Sequence, residues 1–387
     1  MRIAVNALNL RDTWSSAGRY AYNLFQALGI IDGSNDYLLL SPWLLKDVPE
    51  TPSTFSWEVT PVGGIGRYSE QVERLLFEQR TFSAAARAQG AKLLHVPYLG
   101  APLRRHHVPI ILSALDLHPV RHPDSRHSAQ GHAYAGLMAS AARHADAVIA
   151  ATSFAKAEVV ELLHVSPQKV HTIPNAPDVR YAKVTEADAA RAATRYGLPR
   201  RFVMALGGLD VRSNLANLVG AFAAMVHQLG DTELALVTPG DPEELGSSSS
   251  YPDWRPLADT FGIAHQVLCM PIDAADYGAL CAGAGCVVYV PLYESHGAHA
   301  LDALSVGAPL VYSDVGALPE TVGTAGLRVD PWNVREMSDA MAQVLTSTER
   351  ARDLRERALA HVKRYTWQRT AAATAGLYAD ITGTRRD

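Results

Sequence analysis

Residues 287–320, VVYVPLYESHGAHALDALSVGAPLVYSDVGALPE, decide the fold class of this chain. The stretch begins with Val287–Val290, a β-branched and aromatic run that is typical of a buried strand and ends at Pro291. The composition of Ala298–Val306 predicts a helix, and a Gly-Ala-Pro sequence separates it from a second strand that begins at Leu310. This order of strand, short loop, helix and strand indicates a parallel α/β sheet.

The loop between the first strand and the helix predicts a ligand site. Ligands of open parallel sheets bind outside the carboxyl ends of the strands, where a loop leads into a helix N-terminus. The N–H groups of Gly297 and Ala298 would face an anion there, and the helix dipole would favour it. Two carboxylates, Glu294 and Asp302, flank this position with seven residues between them. We therefore expect a ligand that carries hydroxyl groups and phosphates, as a sugar nucleotide does.

Strands and helices alternate in both halves of the 387-residue chain, which is long enough for two α/β domains. The Pro-containing loop after a strand at Val170–Asn175 predicts a domain boundary near residue 178. Three cysteines, an odd number, favour reduced thiols in an intracellular protein. The N-terminus leads directly into a strand pattern without a signal-peptide core, and no run of about eighteen apolar residues predicts a membrane span. We therefore expect a cytoplasmic location.

Composition and motifs disfavour several classes of function. A formal net charge of -4 gives no support for nucleic-acid binding, which requires a basic surface. The first strand is not followed by G-x-G-x-x-G, so an NAD enzyme is disfavoured. The sequence contains no G-x-x-x-x-G-K-[ST] motif, which argues against a P-loop nucleotidase. We predict neither a metal site nor a cofactor.

The opening stretch resembles the signature of family-4 retaining glycosyltransferases of the GT-B fold, in which seven residues separate two glutamates. The matching positions are Glu294, Gly297, Leu301, Ala303, Gly307, Pro309, Ser313, Leu318, Pro319 and Glu320. Asp302 replaces the second glutamate, and His299 stands where proline is usual.

Other segments extend this resemblance over nearly the whole chain and are similar to the mannosyltransferase-like branch of the family. The segments are Gly18–Tyr20 after the first strand, Asp116–Leu117 with His122, the linker VHTIPN, Gly207–Gly208 with Arg212 and Asn214, and the end from Tyr365 to Tyr378. The resemblance implies two facing, doubly wound, Rossmann-like domains. Residues 1–178 would form the acceptor-side domain, residues 179–364 the nucleotide-sugar domain, and residues 365–387 a helix that returns to the first domain.

The resemblance implies that the protein is a metal-independent hexosyltransferase that retains the anomeric configuration. The donor would be a UDP- or GDP-linked sugar, and the acceptor a glycan, a lipid-linked molecule or a small molecule. Glu294 would hydrogen-bond sugar hydroxyls, Asp302 would contact the ribose, and Gly18 and Arg212 would lie at the phosphates. Asp116, His118 and Glu294 form the predicted catalytic set. The predicted donor-binding set is Gly18, Gly207, Gly208, Arg212, Ser213, Gly297, Ala298, His299 and Asp302.

Three departures from the family pattern coincide with donor contacts. Leu115 replaces a histidine, Ser213 replaces a lysine, and Asp302 replaces a glutamate. The loss of one charged contact to a developing diphosphate costs about 3 kcal/mol, or roughly a hundredfold in rate. The alternative hypothesis is therefore a catalytically weak or inactive homologue that acts as a binding or partner subunit. A third hypothesis is an enzyme whose unusual donor is held differently.

The stretch between Arg104 and His144 is rich in histidine and arginine. It indicates either a solvated polar face or a patch that binds an anionic acceptor or a membrane surface. Histidines would strengthen such a patch at acid pH. Membrane binding would place the protein at the inner face of the membrane.

Overall fold

The computed structural model of the chain describes residues 1–45, 55–59, 69–100, 108–122 and 129–383. The chain divides into two compact units, of which the second is the continuous segment Ala176–Arg364. The first unit combines Met1–Asn175 with the C-terminal segment that begins at Tyr365. The division at Asn175 lies beside the Pro-containing loop from which we predict a boundary near residue 178.

The first unit contains a seven-stranded sheet in which all paired strands are parallel. Its strands are β1 (Arg2–Asn6), β2 (Asp36–Ser41), β3 (Phe55–Val59), β4 (Leu93–Val96), β5 (Ile110–Ala114), β6 (Ala147–Ala150) and β7 (Val170–Thr172), in the order β3-β2-β1-β4-β5-β6-β7. Its α-helices are α1 (Ser16–Ile31), α2 (Glu70–Leu76), α3 (Phe82–Ala88), α4 (His118–Arg121), α5 (Ala129–His144) and α6 (Ser153–Leu163), together with α15 (Trp367–Thr382) from the end of the chain.

The second unit contains a six-stranded parallel sheet. Its strands are β8 (Phe202–Ala205), β9 (Ala235–Pro239), β10 (Val267–Met270), β11 (Cys286–Tyr289), β12 (Leu310–Ser313) and β13 (Leu327–Val329), in the order β10-β9-β8-β11-β12-β13. Its α-helices are α7 (Glu186–Arg195), α8 (Leu215–Leu229), α9 (Arg255–Thr260), α10 (Ala274–Gly283), α11 (Ala298–Ser305), α12 (Leu318–Val322), α13 (Val334–Thr346) and α14 (Thr348–Val362).

These two parallel sheets with their helices confirm the predicted class of two Rossmann-like α/β units. In the second sheet the chain first extends from β8 to β10 on one side and then from β11 to β13 on the other. The strand order therefore reverses between β8 and β11, which is the position where ligands bind in open α/β sheets. The two loops that the sequence singles out follow these two strands.

Burial explains why the central strands read as continuous apolar runs in the sequence. Every residue of β11 and of β12 is buried. Two apolar clusters cover the sheet of the second unit; Val288 belongs to one cluster and its neighbour Val287 to the other. Successive side chains of a strand point to opposite faces, so both faces of this sheet are core.

The C-terminal helix α15 packs against α1 of the first unit. The rings of Tyr20 and Trp367 lie 5.9 Å apart in an edge-to-face arrangement. Trp367 is buried, and the hydroxyl of Thr370 donates a hydrogen bond of 2.6 Å to the carbonyl of Pro174. The closing segment therefore contributes to the core of the first unit.

A buried series of hydrogen bonds between side chains fixes α15 to the sheet. His95 on β4 bonds the hydroxyl of Tyr378 through Nδ1, at 2.6 Å, and the hydroxyl of Ser113 through Nε2, at 3.2 Å. The Ser113 hydroxyl in turn lies 3.1 Å from that of Tyr20 on α1. Burial lowers the pKa of His95 to about 3, so the imidazole stays neutral in the folded protein.

The loop between β11 and α11 is held by hydrogen bonds from the segment that follows β12. The carbonyl of Glu294 accepts the Ala317 N–H at 2.9 Å, and the Thr321 hydroxyl donates to the carbonyl of His296 at 3.1 Å. Gly316 has a φ of +57°, and a Cβ there would lie 2.1 Å from the Glu294 carbonyl oxygen. Only glycine permits this approach, so the position of the Glu294 loop depends on Gly316.

Acidification should destabilise the fold through His95. The unfolded chain binds a proton at this histidine below about pH 6.5, whereas the folded chain does so only below about pH 3. The free energy of unfolding should therefore fall as the pH falls through this window, by up to about 1.4 kcal/mol per pH unit. Urea unfolding at a series of pH values measures this slope.

The matched variants for this measurement are His95→Phe and His144→Gln. His95→Phe should reduce the slope between about pH 5 and pH 6.5, because phenylalanine binds no proton. His144 lies at the exposed end of α5, and its replacement should leave the slope unchanged. A wild-type slope in His95→Phe would contradict the assignment.

Gly316→Ala should destabilise the second unit more than Gly230→Ala does. Both glycines have positive φ, but a Cβ at Gly230 meets no atom within 4 Å. Gly230→Ala should cost about 1 kcal/mol from backbone strain alone. The clash with the Glu294 carbonyl should add roughly 2 kcal/mol or more at Gly316. Equal unfolding free energies of the two variants would refute the proposed contact.

Candidate active site

Glu294 is the centre of the predicted site, and its carboxylate is buried at 9% exposure. Oε1 accepts the N–H groups of His296, at 3.0 Å, and Gly297, at 3.1 Å. The imidazole Nδ1 of His296 lies 3.1 Å from the same oxygen. Oε2 accepts the hydroxyl of Tyr289. The side chain therefore binds the loop that follows it and the strand that precedes it.

These contacts keep Glu294 ionised. Burial alone would raise the pKa of the carboxyl, but the bonds and charge of His296, with those of Tyr289 and the Gly297 amide, outweigh it and lower the pKa well below its usual range. Burial and the neighbouring carboxylate raise the pKa of Tyr289 far above its usual value, so its hydroxyl remains a donor. The site thus presents a fixed, buried negative charge.

The N-terminus of α11 begins directly after this loop. Gly297 caps the helix with a φ of +76°, and a Cβ there would lie 2.9 Å from Cγ2 of Thr321. Left-handed backbone and lack of space both require glycine at this position. The Gly297 amide already donates to Glu294, while Ala298 and His299 in the first turn are half-buried.

The loop after β8 lies beside the same residues. Gly207 has a φ of +96°, and a Cβ there would be 3.0 Å from Oγ of Ser213 and 3.7 Å from the ring of Tyr289. Its amide donates to the hydroxyl of Tyr277 at 3.2 Å. Gly208 is exposed, with open space in the direction of a side chain. This open glycine gives a ligand direct access to the backbone.

Arg212 is held by a neighbouring carboxylate. Its Nε and terminal nitrogen lie 3.0 Å and 2.6 Å from Oδ2 of Asp210. The carbonyl of Arg212 accepts the Leu292 N–H at 2.8 Å and so joins the loops after β8 and β11. The Asp-x-Arg spacing in the sequence is the signal by which this ion pair can be predicted.

Asp302 lies on the inner side of α11 at 2% exposure. Its Oδ1 accepts the backbone N–H of Asp178 at 2.9 Å. Asp302 thereby fixes the segment at the start of the second unit to α11, a structural role that the sequence spacing alone does not indicate. The predicted contact of Asp302 with a ribose stays a prediction.

His299 lies between two tyrosine rings. Its ring centroid is 6.1 Å from that of Tyr277 on α10 and 6.0 Å from that of Tyr289 at the end of β11. Tyr277 contacts the glycine loop after β8, and Tyr289 contacts Glu294. The imidazole is therefore adjacent to the residues that follow β8 and β11, the two strands between which the strand order reverses (the switch point of the sheet).

The remaining predicted site residues belong to the first unit. The amide of Gly18 donates to Oγ of Ser15 at 3.2 Å, and a Cβ at Gly18 would lie 1.8 Å from the carbonyl oxygen of Asp12. Glycine is thus required by its own loop. Asp116 is exposed, and its carboxylate accepts the His118 N–H at 2.9 Å.

The histidine- and arginine-rich stretch is only partly described, because residues 101–107 and 123–128 lie outside the described residues. Within it, the rings of His118 and His122 lie 4.8 Å apart. Their H-x-x-x-H spacing is visible in the sequence and is the signal by which this ring pair can be predicted. Arg121 contacts the buried carboxylate of Glu158 at 3.7 Å.

The structure thus brings together the second-unit residues Gly207, Arg212, Ser213, Glu294, Gly297 and His299 around the ends of β8 and β11. Tyr289, Tyr277, His296 and Asp210 join them and are not among the predicted site residues. Among the described residues, no group of three acidic, histidine or cysteine side chains is arranged to hold a metal ion. The helices described in residues 1–383 include none with the length and apolar character that a bilayer crossing needs.

Two sequence families match the chain. The model of "Glycosyltransferase Family 4" matches residues 17–181, and that of "Glycosyl transferases group 1" matches residues 200–347. Among curated proteins, the serotype-specific mannosyltransferase WbdA of Escherichia coli is 26% identical over 233 residues, which are 59% of this chain and 28% of WbdA. A D-inositol 3-phosphate glycosyltransferase of Stackebrandtia nassauensis is 32% identical over 244 residues, which are 61% of this chain and 54% of that protein. The chain thus spans about half the length, or less, of these relatives.

Solved structures share the fold over the full chain. Sucrose-phosphate synthase from Thermosynechococcus elongatus superposes with a TM-score of 0.75 at 19% identity, covering 100% of both chains. HepE of Anabaena, in complex with UDP-glucose, gives 0.72 at 15% identity and covers 98% of this chain and 100% of its own. On the sequence matches and this shared fold, the chain belongs to the family-4 glycosyltransferases of the GT-B fold.

Proposed function

We propose that this protein transfers a hexose from a UDP- or GDP-linked sugar to a glycan, a lipid-linked molecule or a small-molecule acceptor. Retention of the anomeric configuration and independence from metal ions are parts of the proposal. The observation that carries it is the ionised, buried carboxylate of Glu294 at the N-terminus of α11, beside the switch point of the second sheet. Family membership supports it, as do the UDP-glucose bound to HepE and the mannosyl transfer that names WbdA.

Glu294 suits the recognition of sugar hydroxyls. An ionised carboxylate only accepts hydrogen bonds, and each of its oxygens has two lone pairs, which three donors can share. Oε1 receives two amides and the imidazole of His296, whereas Oε2 receives the hydroxyl of Tyr289. The second acceptor position of Oε2 can therefore take a sugar hydroxyl. Because the carboxylate is already oriented, it need not reorganise when the donor binds.

The leaving diphosphate would be stabilised by backbone groups and a helix dipole. The first turn of α11 and the open Gly208 offer N–H groups or backbone access to an anion. Preorganised donors of this kind stabilise developing charge without a metal ion. We propose front-face attack by the acceptor, from the side on which the nucleotide leaves, so that no protein nucleophile takes part.

A nucleotide-release assay with UDP- and GDP-sugars and a panel of acceptors tests the proposal. The wild-type protein should release nucleotide in the presence of EDTA and form a product whose anomeric configuration, read by proton NMR, matches that of the donor. Glu294→Gln should lower kcat/KM by roughly a hundredfold or more, because it removes the fixed charge at the sugar. Glu356→Gln, at an exposed carboxylate on α14, is the matched control and should leave turnover unchanged.

Equal turnover of Glu294→Gln and wild type would refute the role of Glu294. Binding of UDP or GDP without any transfer would instead favour the weak or inactive homologue. Thermal unfolding of both variants must accompany the assay, because Glu294 also binds its own loop.

Ser213→Lys should tighten the binding of nucleotide diphosphates by about tenfold, equivalent to about 1.4 kcal/mol. Ser213 is 8% exposed and its hydroxyl faces Gly207, so an ammonium group can extend along the glycine loop. Calorimetric titration with UDP and GDP measures the effect. Ser248→Lys adds the same charge at an exposed loop position and should not change affinity. The same small change in both variants would count against a phosphate site at this loop.

A further inference from the structure

The corner formed by the loops after β8 and β11 is poor in positive charge. Its carboxylates are Asp210, Glu294 and Asp302, and its guanidinium is Arg212. Three negative charges and one positive charge leave a formal net charge of -2 when the nearby imidazoles are neutral. Arg212 is moreover bound to Asp210 by two nitrogens, so its charge is already matched. A diphosphate that binds here adds further negative charge.

Helix dipoles alone do not balance this charge. A helix N-terminus contributes about half a positive elementary charge, and the effect falls off within one turn. The position that resembles a phosphate-binding lysine holds Ser213, which carries no charge. Binding of a nucleotide diphosphate therefore needs another cation, and the remaining candidates in this corner are the two histidines of the loop and helix, His296 and His299.

His296 is committed to Glu294. Its Nδ1 lies 3.1 Å from Oε1 of the carboxylate, and a protonated His296 would mainly balance that charge. The pKa of Glu294 is lowered partly by this contact. His296 thus stabilises the loop and adds no excess positive charge for a ligand.

His299 is placed differently. As the second residue of α11 it is half-buried, and side chains in helices lean toward the N-terminus of their helix. Its ring neighbours are Tyr277, whose hydroxyl accepts the Gly207 amide, and Tyr289, whose ring lies beside the Gly207 backbone. The imidazole is therefore next to both the glycine loop and the first turn of α11, the two places where phosphates are proposed to bind.

We propose that His299 takes up a proton when the nucleotide diphosphate of the donor binds, and that this imidazolium supplies the positive charge absent at Ser213. The inference deepens the proposed function and rests on it. In the free protein the positive end of the α11 dipole and partial burial oppose an imidazolium, whereas the carboxylates of Glu294 and Asp302 favour it. A diphosphate beside the ring favours the charged form, so donor affinity and protonation of His299 are linked.

The other titratable groups on α11 and on the elements that contact it can be separated from His299 by experiment. They are Tyr277 and Cys281 from α10, Tyr289 from β11, Glu294 and His296 from the preceding loop, Asp302 from α11 itself, Tyr312 from β12, Glu320 from α12, and Arg355 and His361 from α14. Arg355 donates to the carbonyls of Gly307 and Ala284, and His361 bonds the carbonyl of Thr321.

Calorimetric titration of the full chain with UDP-glucose and GDP-mannose, from about pH 6 to about pH 9, tests the inference. These probes carry a diphosphate that is esterified at both ends, so the diphosphate does not titrate in this range, and only the nucleobase begins to lose a proton at its upper end. Measurement in two buffers of different ionisation enthalpy gives the number of protons bound with the ligand. The wild type should take up a proton above the usual imidazole pKa of about 6.5, and its affinity should fall by up to about tenfold per pH unit.

His299→Gln should abolish both the proton uptake and the pH dependence, and should weaken binding at about pH 6 by roughly tenfold. His227→Gln, at an exposed position on α8, is the matched control and should behave as the wild type. Ser213→Lys combined with His299→Gln should restore affinity without restoring the pH dependence, because lysine stays charged in this range.

Two results would overturn the inference while leaving the proposed function intact. One is wild-type binding without proton uptake; the other is uptake that persists in His299→Gln or is lost in His296→Gln instead. A wild-type protein that binds no nucleotide sugar at any pH would overturn the proposed function itself, and the inference with it.

Discussion

Glu294 accepts hydrogen bonds from the strand before it and from the loop after it, and the conformation of that loop follows from these contacts. A buried carboxylate is costly unless it is fully hydrogen-bonded, so the amides of His296 and Gly297 and the hydroxyl of Tyr289 must stay where they are. The same loop sets the left-handed Gly297 and thereby the start of α11. Gly316 packs directly against the Glu294 carbonyl, an approach that only a residue without a Cβ can make. The helix N-terminus is thus held by one buried charge.

This arrangement gives the site an electrostatic character of its own. Arg212 is paired with Asp210, and a serine stands at the position that resembles a lysine. Fixed cations therefore contribute little, whereas backbone N–H groups, helix dipoles and imidazoles are numerous. Imidazoles respond to pH and to bound anions, which distinguishes this site from one built on permanently charged side chains.

The sequence predicts the architecture well because the signals are local. The apolar run that forms β11, the helix α11 and the glycine at 297 can each be read from a few neighbouring residues. The ion pair of Asp210 and Arg212, which are two positions apart, can also be predicted from neighbouring residues. The pairing of Asp302 with the Asp178 amide is different, because 124 positions separate them and only the folded chain brings them together. Likewise, no local pattern reveals that Gly316 must admit the carbonyl of Glu294, or that Tyr289 donates to its carboxylate.

The first unit is formed by two separate segments of the chain, and this has a consequence for biosynthesis. Its sheet includes His95, but the hydroxyl that satisfies Nδ1 of this buried imidazole comes from Tyr378, 283 positions later. A ribosome therefore completes the whole second unit before the first can acquire its last helix. During translation, which adds about 5–20 residues per second, the surface that will contact α15 stays uncovered, and Nδ1 of His95 lacks the hydroxyl of Tyr378. The order in which the two units are synthesised therefore differs from the order in which their folding can be completed.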